Sequence, residues 1–197
     1  WARLQSVGAA RGISITTRHV FVYGNTLVRR SDDRGATWIT VGETTSDLSQ
    51  GSKLVEAANG NLYLVSGEFS QLSIAAPSNA QRYNIPGVFR SADDGESWER
   101  IGFGHSETRA AVAVGDVAFI GVSRPGPVGG IHAYHTAHSV WLDVSDGLPD
   151  VAVWSLATDG ETIYAGTDAG VFRAPASQAV AVEPRGKTVT AWGDLKQ

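Results

Sequence analysis

Two stretches of the chain repeat one another almost residue for residue, and this repeat limits the possible folds more than any other feature. The first runs from Val28 to Trp38 and the second from Val88 to Trp98. Both read apolar-x-Arg-Ser-x-Asp-x-Gly-x-Ser/Thr-Trp, and in both a short segment ending at Gly follows the Trp. Internal self-similarity is typical of repeat architectures, in which each repeat is one supersecondary unit. We therefore expect several copies of one unit.

Incomplete copies of the unit occur elsewhere. Trp1–Gly8 and Trp141–Val144 resemble the segment after the Trp, and Gly170–Ala174 resembles the segment before the turn. Upstream of these segments, a tight polar turn repeatedly leads into a β-branched and aromatic run, which is typical of β-hairpins. These hairpin signals lie at 18–24, 58–67, 114–121 and 158–167.

Each repeat therefore holds four short strands, and the chain is predicted to be all-β. Successive copies of the Trp are 37, 60 and 43 residues apart, and a propeller blade takes roughly 40–45 residues. The long spacing is explained by an insertion, Phe69 to Pro86. The prediction is a β-propeller of four-stranded antiparallel blades in a single domain, 1–197, with blades near 10–43, 52–103, 109–146 and 151–184.

The ends of the chain leave the closure of the propeller open. Residues 1–8 and 187–197 are predicted to be closing or terminal strands. Trp1–Gly8 supplies the outer strand of the last blade in one arrangement, whereas Ala179–Val182 supplies it in another. The four blades are either a whole ring or part of a larger propeller.

The residues of the repeated turn are of types that stabilise a tight turn. A short Asp at the start of a turn accepts hydrogen bonds from backbone N–H groups two or three residues further on. Gly accommodates a positive φ, and the Trp covers the backbone of the turn with a large apolar plate. We therefore predict structural and not catalytic roles for Ser31, Asp33, Gly35, Trp38, Ser91, Asp93, Gly95 and Trp98.

This turn resembles the Asp-box, or bacterial neuraminidase repeat, of the sialidase-like propeller superfamily. The run Tyr-Ala-Gly-Thr-x-x-Gly-Val-Phe-Arg at 164–173 is similar to secreted bacterial propellers related to photosystem II assembly and stability factors. The resemblance implies a propeller whose Asp-boxes lie away from the functional site. It also implies a periplasmic or extracellular protein, with its signal peptide removed, that assists a complex such as a membrane or photosynthetic-type assembly.

The resemblance to sialidases does not extend to their chemistry. Sialidases carry an Arg-Ile-Pro motif whose Arg grips the substrate carboxylate, and the nearest match here is Asn84-Ile85-Pro86. A neutral amide cannot supply the charged bidentate fork of an Arg. A glycosidase that uses two carboxylates stays open, although no pair stands out in the sequence. Asp159, Asp116 and Asn59 occupy matching hairpin turns and are interpreted as turn formers.

No cofactor or metal is predicted. His132, His135 and His138 are spaced so that, on one strand, His135 points away from the other two, whereas zinc needs three or four converging ligands. The chain has no Cys, which excludes Cys-ligated metals. Phosphate-binding Gly-rich motifs are absent, because Gly126–Gly130 is followed by neither Lys nor Ser/Thr.

Charge excludes one further class of partner. Nucleic-acid binding needs clustered positive charge, whereas the net charge is −4 and the pI is about 5.7. No apolar run approaches the ~18 residues that a membrane-spanning helix needs. We therefore predict neither a nucleic-acid partner nor a transmembrane segment.

The long loops are the predicted recognition elements. Phe69–Pro86 and Ser123–Gly130 both connect the second to the third strand of a blade, so they emerge on the face opposite the Asp-containing turns. Long loops on a rigid scaffold commonly carry recognition. The candidate partner-binding residues are Arg82, Tyr83, Asn84 and Arg124, whose types are favoured at interfaces. The predicted function is a non-catalytic exported scaffold for a protein complex, and the alternative is a glycan-active propeller, either a glycoside hydrolase or a carbohydrate-binding module.

Overall fold

In a computed structural model, the described residues are 10–24, 27–44, 52–66, 72–73, 82–83, 87–103, 108–123 and 129–177. Their strands, β1 to β17, form four antiparallel sheets. The chain divides into two compact units, residues 1–56 with 60–109, and residues 57–59 with 110–197. Within the described part, no helix has the length and apolar character needed to cross a membrane.

The first unit contains a six-stranded and a four-stranded sheet. The six-stranded sheet has the order β1-β2-β3-β4-β7-β8 and the four-stranded sheet the order β10-β9-β6-β5. The bounds of the first set are β1 Gly12–Ile15, β2 Val20–Gly24, β3 Leu27–Ser31, β4 Ile39–Thr44, β7 Leu72–Ser73 and β8 Arg82–Tyr83. Those of the second set are β5 Lys53–Glu56, β6 Leu62–Ser66, β9 Gly87–Ser91 and β10 Glu99–Gly102.

The core of the first unit lies between these two sheets. Strand β2 is rich in β-branched and aromatic residues, which favour a half-buried pleated surface, and Phe21 and Tyr23 point to the same side of it. They pack into one apolar cluster with residues from the second sheet. The fully or largely buried members are Phe21, Tyr23, Val28, Leu54, Leu62, Leu64, Phe89 and Trp98, and Val41 packs against them.

The predicted insertion supplies two strands to the neighbouring sheet. Leu72 and Ser73 of β7 pair with Thr44 and Glu43 at the outer edge of β4, and β7 pairs in turn with β8. The insertion lies between β6 and β9 of the other sheet. It therefore widens the first sheet from four strands to six, which the repeat pattern does not reveal.

The second unit contains a four-stranded and a three-stranded sheet, with orders β11-β12-β13-β14 and β15-β16-β17. The first sheet consists of β11 Thr108–Val114, which belongs to this unit from Ala110 onward, β12 Val117–Val122, β13 Gly130–His135 and β14 Val140–Asp143. The second consists of β15 Val153–Thr158, β16 Thr162–Thr167 and β17 Gly170–Pro175.

The core of the second unit depends on a close approach at Gly121. A Cβ on this residue would lie 2.6 Å from Cγ1 of Val153, so only Gly lets β12 and β15 pack at this distance. Around this contact, apolar residues of both sheets form one buried cluster. Its larger members are Val112, Val117, Phe119, Ile131, Val153, Leu156 and Ile163.

These sheets confirm the predicted all-β class. Their strand counts are six, four, four and three in the described ranges. Both segments proposed for the outer strand of the last sheet, Trp1–Gly8 and Ala179–Val182, lie outside the described residues. The single domain and the blade boundaries stay predictions.

Candidate functional site

The first Asp-containing turn, Ser31 to Trp38, is organised around the Ser31 hydroxyl. Its Oγ accepts hydrogen bonds from the backbone N–H of Gly35 at 2.7 Å and of Asp33 at 3.4 Å. The same hydroxyl donates to Oδ1 of Asp33 at 2.8 Å. The Ser31 hydroxyl thus accepts the hydrogen bonds from the nearer backbone N–H groups of the turn, a role that the sequence analysis predicted for the Asp.

Asp33 reaches further along the turn than predicted. Its Oδ1 accepts from the backbone N–H of Thr37 at 2.7 Å and its Oδ2 from the Thr37 hydroxyl at 2.6 Å. These partners lie four residues on, and not two or three. The hydrogen bonds from Thr37, followed by that from Ser31, lower the pKa of Asp33 to about 2. The carboxylate is therefore held ionised within its own turn.

The second turn, Ser91 to Trp98, repeats this network. Oδ1 of Asp93 accepts from the backbone N–H of Ser97 at 2.9 Å, and Oδ2 accepts from the Ser97 hydroxyl at 2.5 Å. Ser91 Oγ accepts from the backbone N–H of Gly95 at 2.8 Å. Partial burial raises the pKa of Asp93, but the hydrogen bonds from Ser97 and Ser91 outweigh it, so the net shift is downward.

Two consecutive residues with positive φ give both turns their shape. Arg34 and Gly35 have φ of 58° and 93°, and Asp94 and Gly95 have φ of 56° and 88°. The left-handed region is unfavourable for residues with a Cβ, so the Gly is required at the position with the larger φ.

The two Trp side chains occupy different surroundings. Trp38 is half-buried, and its Nε1 donates to the carbonyl oxygen of Gly35 at 3.1 Å. Trp98 is 6% exposed and belongs to the apolar cluster of the first unit. Its Nε1 is buried without a hydrogen-bond acceptor among the described residues.

A charged cluster joins the two turns. The His19 side chain lies between two carboxylates, with Nδ1 2.8 Å from Oδ1 of Asp32 and Nε2 3.7 Å from Oδ1 of Asp94. Each carboxylate also contacts an arginine: Arg30 Nε lies 2.9 Å from Asp32 Oδ1, and Arg18 Nη2 lies 2.5 Å from Asp94 Oδ1. Each carboxylate thus has a histidine and an arginine within 4 Å.

Arg30 links the turns most directly. Its side chain is 10% exposed, and it donates from Nη1 to the backbone carbonyl of Asp94 at 2.7 Å. Its Nη2 lies 3.1 Å from Oε1 of Glu96. In contrast, the equivalent Arg90 contacts Asn61, just before β6, at 2.8 Å and Glu99 of β10 at 2.7 Å.

The structure describes two of the four predicted partner-binding residues. Arg82 and Tyr83 form β8, the outermost strand of the six-stranded sheet. Tyr83 pairs with Leu72, and Arg82 pairs with Ser73. Asn84 and Arg124 lie outside the described residues.

The three histidines are not gathered into one site. Strand β13 ends at His135, and His138 lies in the turn that follows, so the three histidines are divided between a strand and a turn. Nε2 of His132 lies 3.0 Å from the carbonyl oxygen of Gly129. Among the described residues, no group of three His, Cys, Asp or Glu side chains is arranged to hold a metal ion.

Asp159 is placed as the turn former that the sequence indicated. Its Oδ1 accepts from the backbone N–H groups of Thr162 at 2.7 Å and Glu161 at 3.0 Å, and these bonds lower its pKa. Its Oδ2 accepts from the Tyr164 hydroxyl at 3.2 Å. Both oxygens are thus engaged within the hairpin.

A cavity in the second unit was missed by the sequence reasoning. It has a volume of about 220 Å³ and lies between the face of β12 and β13 and the face of β16 and β17. Phe119, Ile131, Ile163 and Phe172 form its apolar walls, while Asp146 adds a charged group. Its residues come from separate repeats, so no local pattern could have indicated it.

Comparisons with known proteins rest on structure, because neither a protein-family model nor a curated protein matches the chain. The GH74 xyloglucanase from Xanthomonas campestris matches with a TM-score of 0.62 and 14% identity, over 91% of this chain and 31% of that one. The computationally designed Ika4 protein matches with a TM-score of 0.53 and 11% identity, over 88% of this chain and 95% of that one.

YCF48 bound to D1 peptide matches with a TM-score of 0.39 and 12% identity, over 86% of this chain and 65% of that one. This TM-score is too low to support a fold assignment, so the first two matches carry it. With the four antiparallel sheets they confirm the predicted fold, a β-propeller of antiparallel blades. The chain spans less than a third of the xyloglucanase, at 31% of its length.

Proposed function

We propose that this propeller is a non-catalytic, exported scaffold that binds a protein partner within a larger complex, in the periplasm or outside the cell. The observation that carries the proposal is the position of Arg82 and Tyr83 on β8, the outermost strand of the six-stranded sheet. An edge strand offers backbone N–H and C=O groups to a further extended segment. Tyr and Arg are residue types that anchor such interfaces.

We also propose that the Ser31–Trp38 and Ser91–Trp98 turns are Asp-boxes of the sialidase-like kind, with a structural role. Both oxygens of Asp33 and of Asp93 accept hydrogen bonds from within the turn. A carboxylate whose acceptor positions are filled in this way is poorly suited to proton transfer. The binding surface therefore lies elsewhere, at β8 and the loops that carry Asn84 and Arg124.

Site-specific photo-crosslinking tests the proposal. A photoreactive phenylalanine replaces Tyr83 in one variant and, as the matched control, Glu96 in the second turn, whose side chain is 63% exposed. Crosslinked proteins from the exported fraction of the native cell are identified by mass spectrometry and then purified. We expect one partner from position 83 and none from position 96, and weaker binding of the purified partner by Tyr83→Ala.

The melting temperature separates binding from folding. Tyr83→Ala and Arg82→Ala should leave it unchanged while they weaken the complex. Equal crosslinking from positions 83 and 96, or unchanged partner affinity in both alanine variants, would contradict the proposal.

A glycan-binding function is the second candidate, and Trp154 favours it. This side chain is 46% exposed, and its Nε1 donates to Oδ1 of Asp168, which fixes an apolar plane at the surface. An exposed, oriented indole offers its face to the C–H face of a sugar ring. Xyloglucan oligosaccharides should quench the fluorescence of the wild-type chain but not that of Trp154→Phe, if this candidate is correct. Release of sugars from the same oligosaccharides would show instead that the propeller is a glycoside hydrolase.

A further inference from the structure

The last strand of the second unit repeats a strand of the first unit. Strand β17 begins with Gly-Val-Phe-Arg at residue 170, and β9 begins with the same four residues at 87. In each strand the Phe points towards the other sheet of its unit, because Phe89 belongs to the apolar cluster of the first unit and Phe172 lines the cavity of the second. The two strands therefore hold equivalent places in the two units.

In the first unit, Trp98 fills the space beside this Phe. Trp98 is 6% exposed and belongs to the same apolar cluster as Phe89, which is fully buried. In the second unit, Phe172 is only half-buried, and the cavity lies against it. The cavity thus occupies the place that corresponds to Trp98.

The volume of the cavity fits an indole ring. The cavity measures about 220 Å³, and Phe119, Ile131, Ile163 and Phe172 form its apolar walls. An apolar cavity of about 150 Å³ accepts benzene, so in proportion to its ring atoms the larger indole needs roughly 225 Å³. A Val or Ala side chain is smaller than either ring and leaves most of this space unfilled.

Three segments outside the described residues are predicted to be outer or closing strands: 1–8, 179–182 and 187–197. Residues 179–182 have only Ala and Val side chains, which are too small for the cavity. The other two segments each contain one Trp, Trp1 or Trp192, with a Leu three residues later. Trp192 belongs to the same compact unit as the cavity, whereas Trp1 is grouped with the first unit.

The direction of the chain also favours Trp192. In each of the other three described sheets the fourth strand follows the third directly along the chain, as β4 follows β3, β10 follows β9 and β14 follows β13. Consecutive strands commonly pair with one another. Residues 176–191 join β17 to Trp192 and are numerous enough for the chain to return along β17.

The residues after Trp192 match a strand of the same unit. Trp192-Gly193-Asp194-Leu195 and the run from Trp141 to Val144 share the pattern Trp-x-Asp-apolar. Trp141 is 7% exposed, and Val144 packs against the apolar cluster of the second unit. In β14 this pattern therefore belongs to the fourth strand of a sheet, with its Trp buried.

We propose that the segment around Trp192 is the fourth strand of the last sheet, which pairs with the outer edge of β17 and places the Trp192 indole in the cavity. Glu99, the residue after Trp98, pairs with Arg90 of β9, and the same register pairs Gly193 with Arg173. The edge of β17 is then closed by the chain itself and is not offered to a partner. The proposal is independent of the proposed function, which concerns β8 in the first unit.

Disulfide trapping tests the pairing on the full chain, which has no Cys of its own. Opposite residues on antiparallel strands have Cα atoms about 4.5–5.5 Å apart, which a disulfide can span. The Arg173 side chain lies on the face of β17 opposite the cavity, because it pairs with Tyr164 and not with a residue of the apolar cluster. A bridge at this position therefore leaves the cavity unaltered.

Three double variants compare the candidate segments. Arg173→Cys with Gly193→Cys should form a disulfide within one chain at least about tenfold faster than Arg173→Cys with either Ala2→Cys or Val180→Cys, because only the first pair is held at bonding distance. Ala2 follows Trp1 as Gly193 follows Trp192, and Val180 represents the segment 179–182. Mass spectrometry of non-reduced peptides measures the three rates.

Rescue by free indole tests the occupant of the cavity. Trp192→Gly removes the ring, and indole at ten times its Kd should then raise the melting temperature by roughly 3–6 °C. Wild type and the matched control Trp1→Gly should show no such rise, because Trp192 fills the cavity in both. In Trp192→Gly the methyl NMR signals of Ile131 and Leu148, which line the cavity, should shift on addition of indole, while that of Ile13, exposed in the first unit, should not.

Several results would overturn the proposal. One is faster oxidation of the pair with Ala2 or Val180, and another is a bridge between residues 173 and 193 that forms only between two chains. A third is an indole effect that is equal in wild type and Trp192→Gly, because Trp192 is then not the occupant. If Trp192→Gly does not fold, the oxidation rates decide, since those variants keep the indole.

Discussion

The turns at Asp33 and Asp93 share one hydrogen-bond network but differ in what their Trp does. Trp38 is half-buried and donates back to its own turn, whereas Trp98 is buried among residues of both sheets of the first unit. The backbone of each turn follows from local sequence, while the task of the Trp depends on the sheet that lies against it. One motif can therefore serve as a self-contained cap or as a connection between sheets.

Removal of the Trp side chains should produce the largest difference in stability between the two turns. Trp98→Ala should lower the free energy of unfolding by about 3–5 kcal/mol, because it empties a core position. Trp38→Ala should cost roughly 1–2 kcal/mol, because a half-buried ring and one hydrogen bond are lost. Urea unfolding measures both. Trp98→Phe is the control and should cost about 1 kcal/mol, since Nε1 of Trp98 has no acceptor to lose. Equal losses of stability in the two alanine variants would contradict the proposed difference between the turns.

Substitution of the turn glycines should show a smaller difference. Gly35→Ala should cost about 1–2 kcal/mol, because a Cβ disfavours the left-handed region. Gly95→Ala should cost roughly 1 kcal/mol more, since its Cβ would lie 3.2 Å from Cε1 of Phe21. Thermal unfolding of both variants checks the order. A second substitution, Phe21→Leu, should remove the excess; an excess that persists would mean that contact with Phe21 is not its cause.

Arg30 and Arg90 provide the next comparison. Arg30→Ala should lower the free energy of unfolding by about 2 kcal/mol, because a nearly buried guanidinium with charged partners is lost. Arg90→Ala should cost about 1 kcal/mol, because it removes a hydrogen bond to Asn61 and an ion pair with the exposed Glu99.

Hydrogen exchange of Ser97 N–H distinguishes the two arginines. It should quicken in Arg30→Ala, which detaches the second turn from the first, but not in Arg90→Ala. Arg30→Lys keeps the charge without the planar fork and should behave like Arg30→Ala; full rescue by Lys would show that charge alone matters.

Acid should destabilise both turns through their Asp residues. This effect should be smaller than those of the Trp, Gly and Arg substitutions. The folded pKa of Asp33, about 2, lies below its ordinary value of 3.8, so the ionised form is favoured in the folded state. Its contribution to stability is complete above the ordinary pKa and is lost as the pH falls from about 4 towards 2.

Urea unfolding between pH 5 and pH 2 measures this contribution. Asp33→Asn should flatten the acid side of the stability profile. Asp93→Asn should flatten it less, because burial opposes the lowering of that pKa. Thr37→Val removes one hydrogen-bond donor to Asp33. The loss of stability in acid should therefore be smaller in this variant than in wild type but larger than in Asp33→Asn. An unchanged profile in Asp33→Asn would show that the turn does not depend on the charge.

Local features could be predicted from the sequence, and pairings between distant residues could not. Asp33 and Gly35 were identified because the turn is specified by residues within eight positions of one another. The four-residue reach from Asp33 to Thr37 was missed, because the Ser31 hydroxyl takes the nearer N–H groups.

The pairing of the insertion with β4 and the cavity in the second unit could not be derived, for the same physical reason. Strand β7 pairs with β4 across a long sequence separation, and no turn chemistry specifies such a register. Phe119 and Phe172 read as ordinary strand residues until two sheets place them around one space. Arg82 and Tyr83 were predicted to lie in a loop but form strand β8, and the space between the two sheets was not predicted.

The pairing of β4 with β7 has a consequence for the order of events in folding. During synthesis from the N-terminus, the outer edge of β4 has no strand beside it until residues 72–73 follow, roughly 30 residues later, and closure of a loop that long costs entropy. An uncovered edge is a template for aggregation. The first blade thus completes only after the second has begun to form, and a nascent chain that pauses between them should be the form most dependent on chaperones.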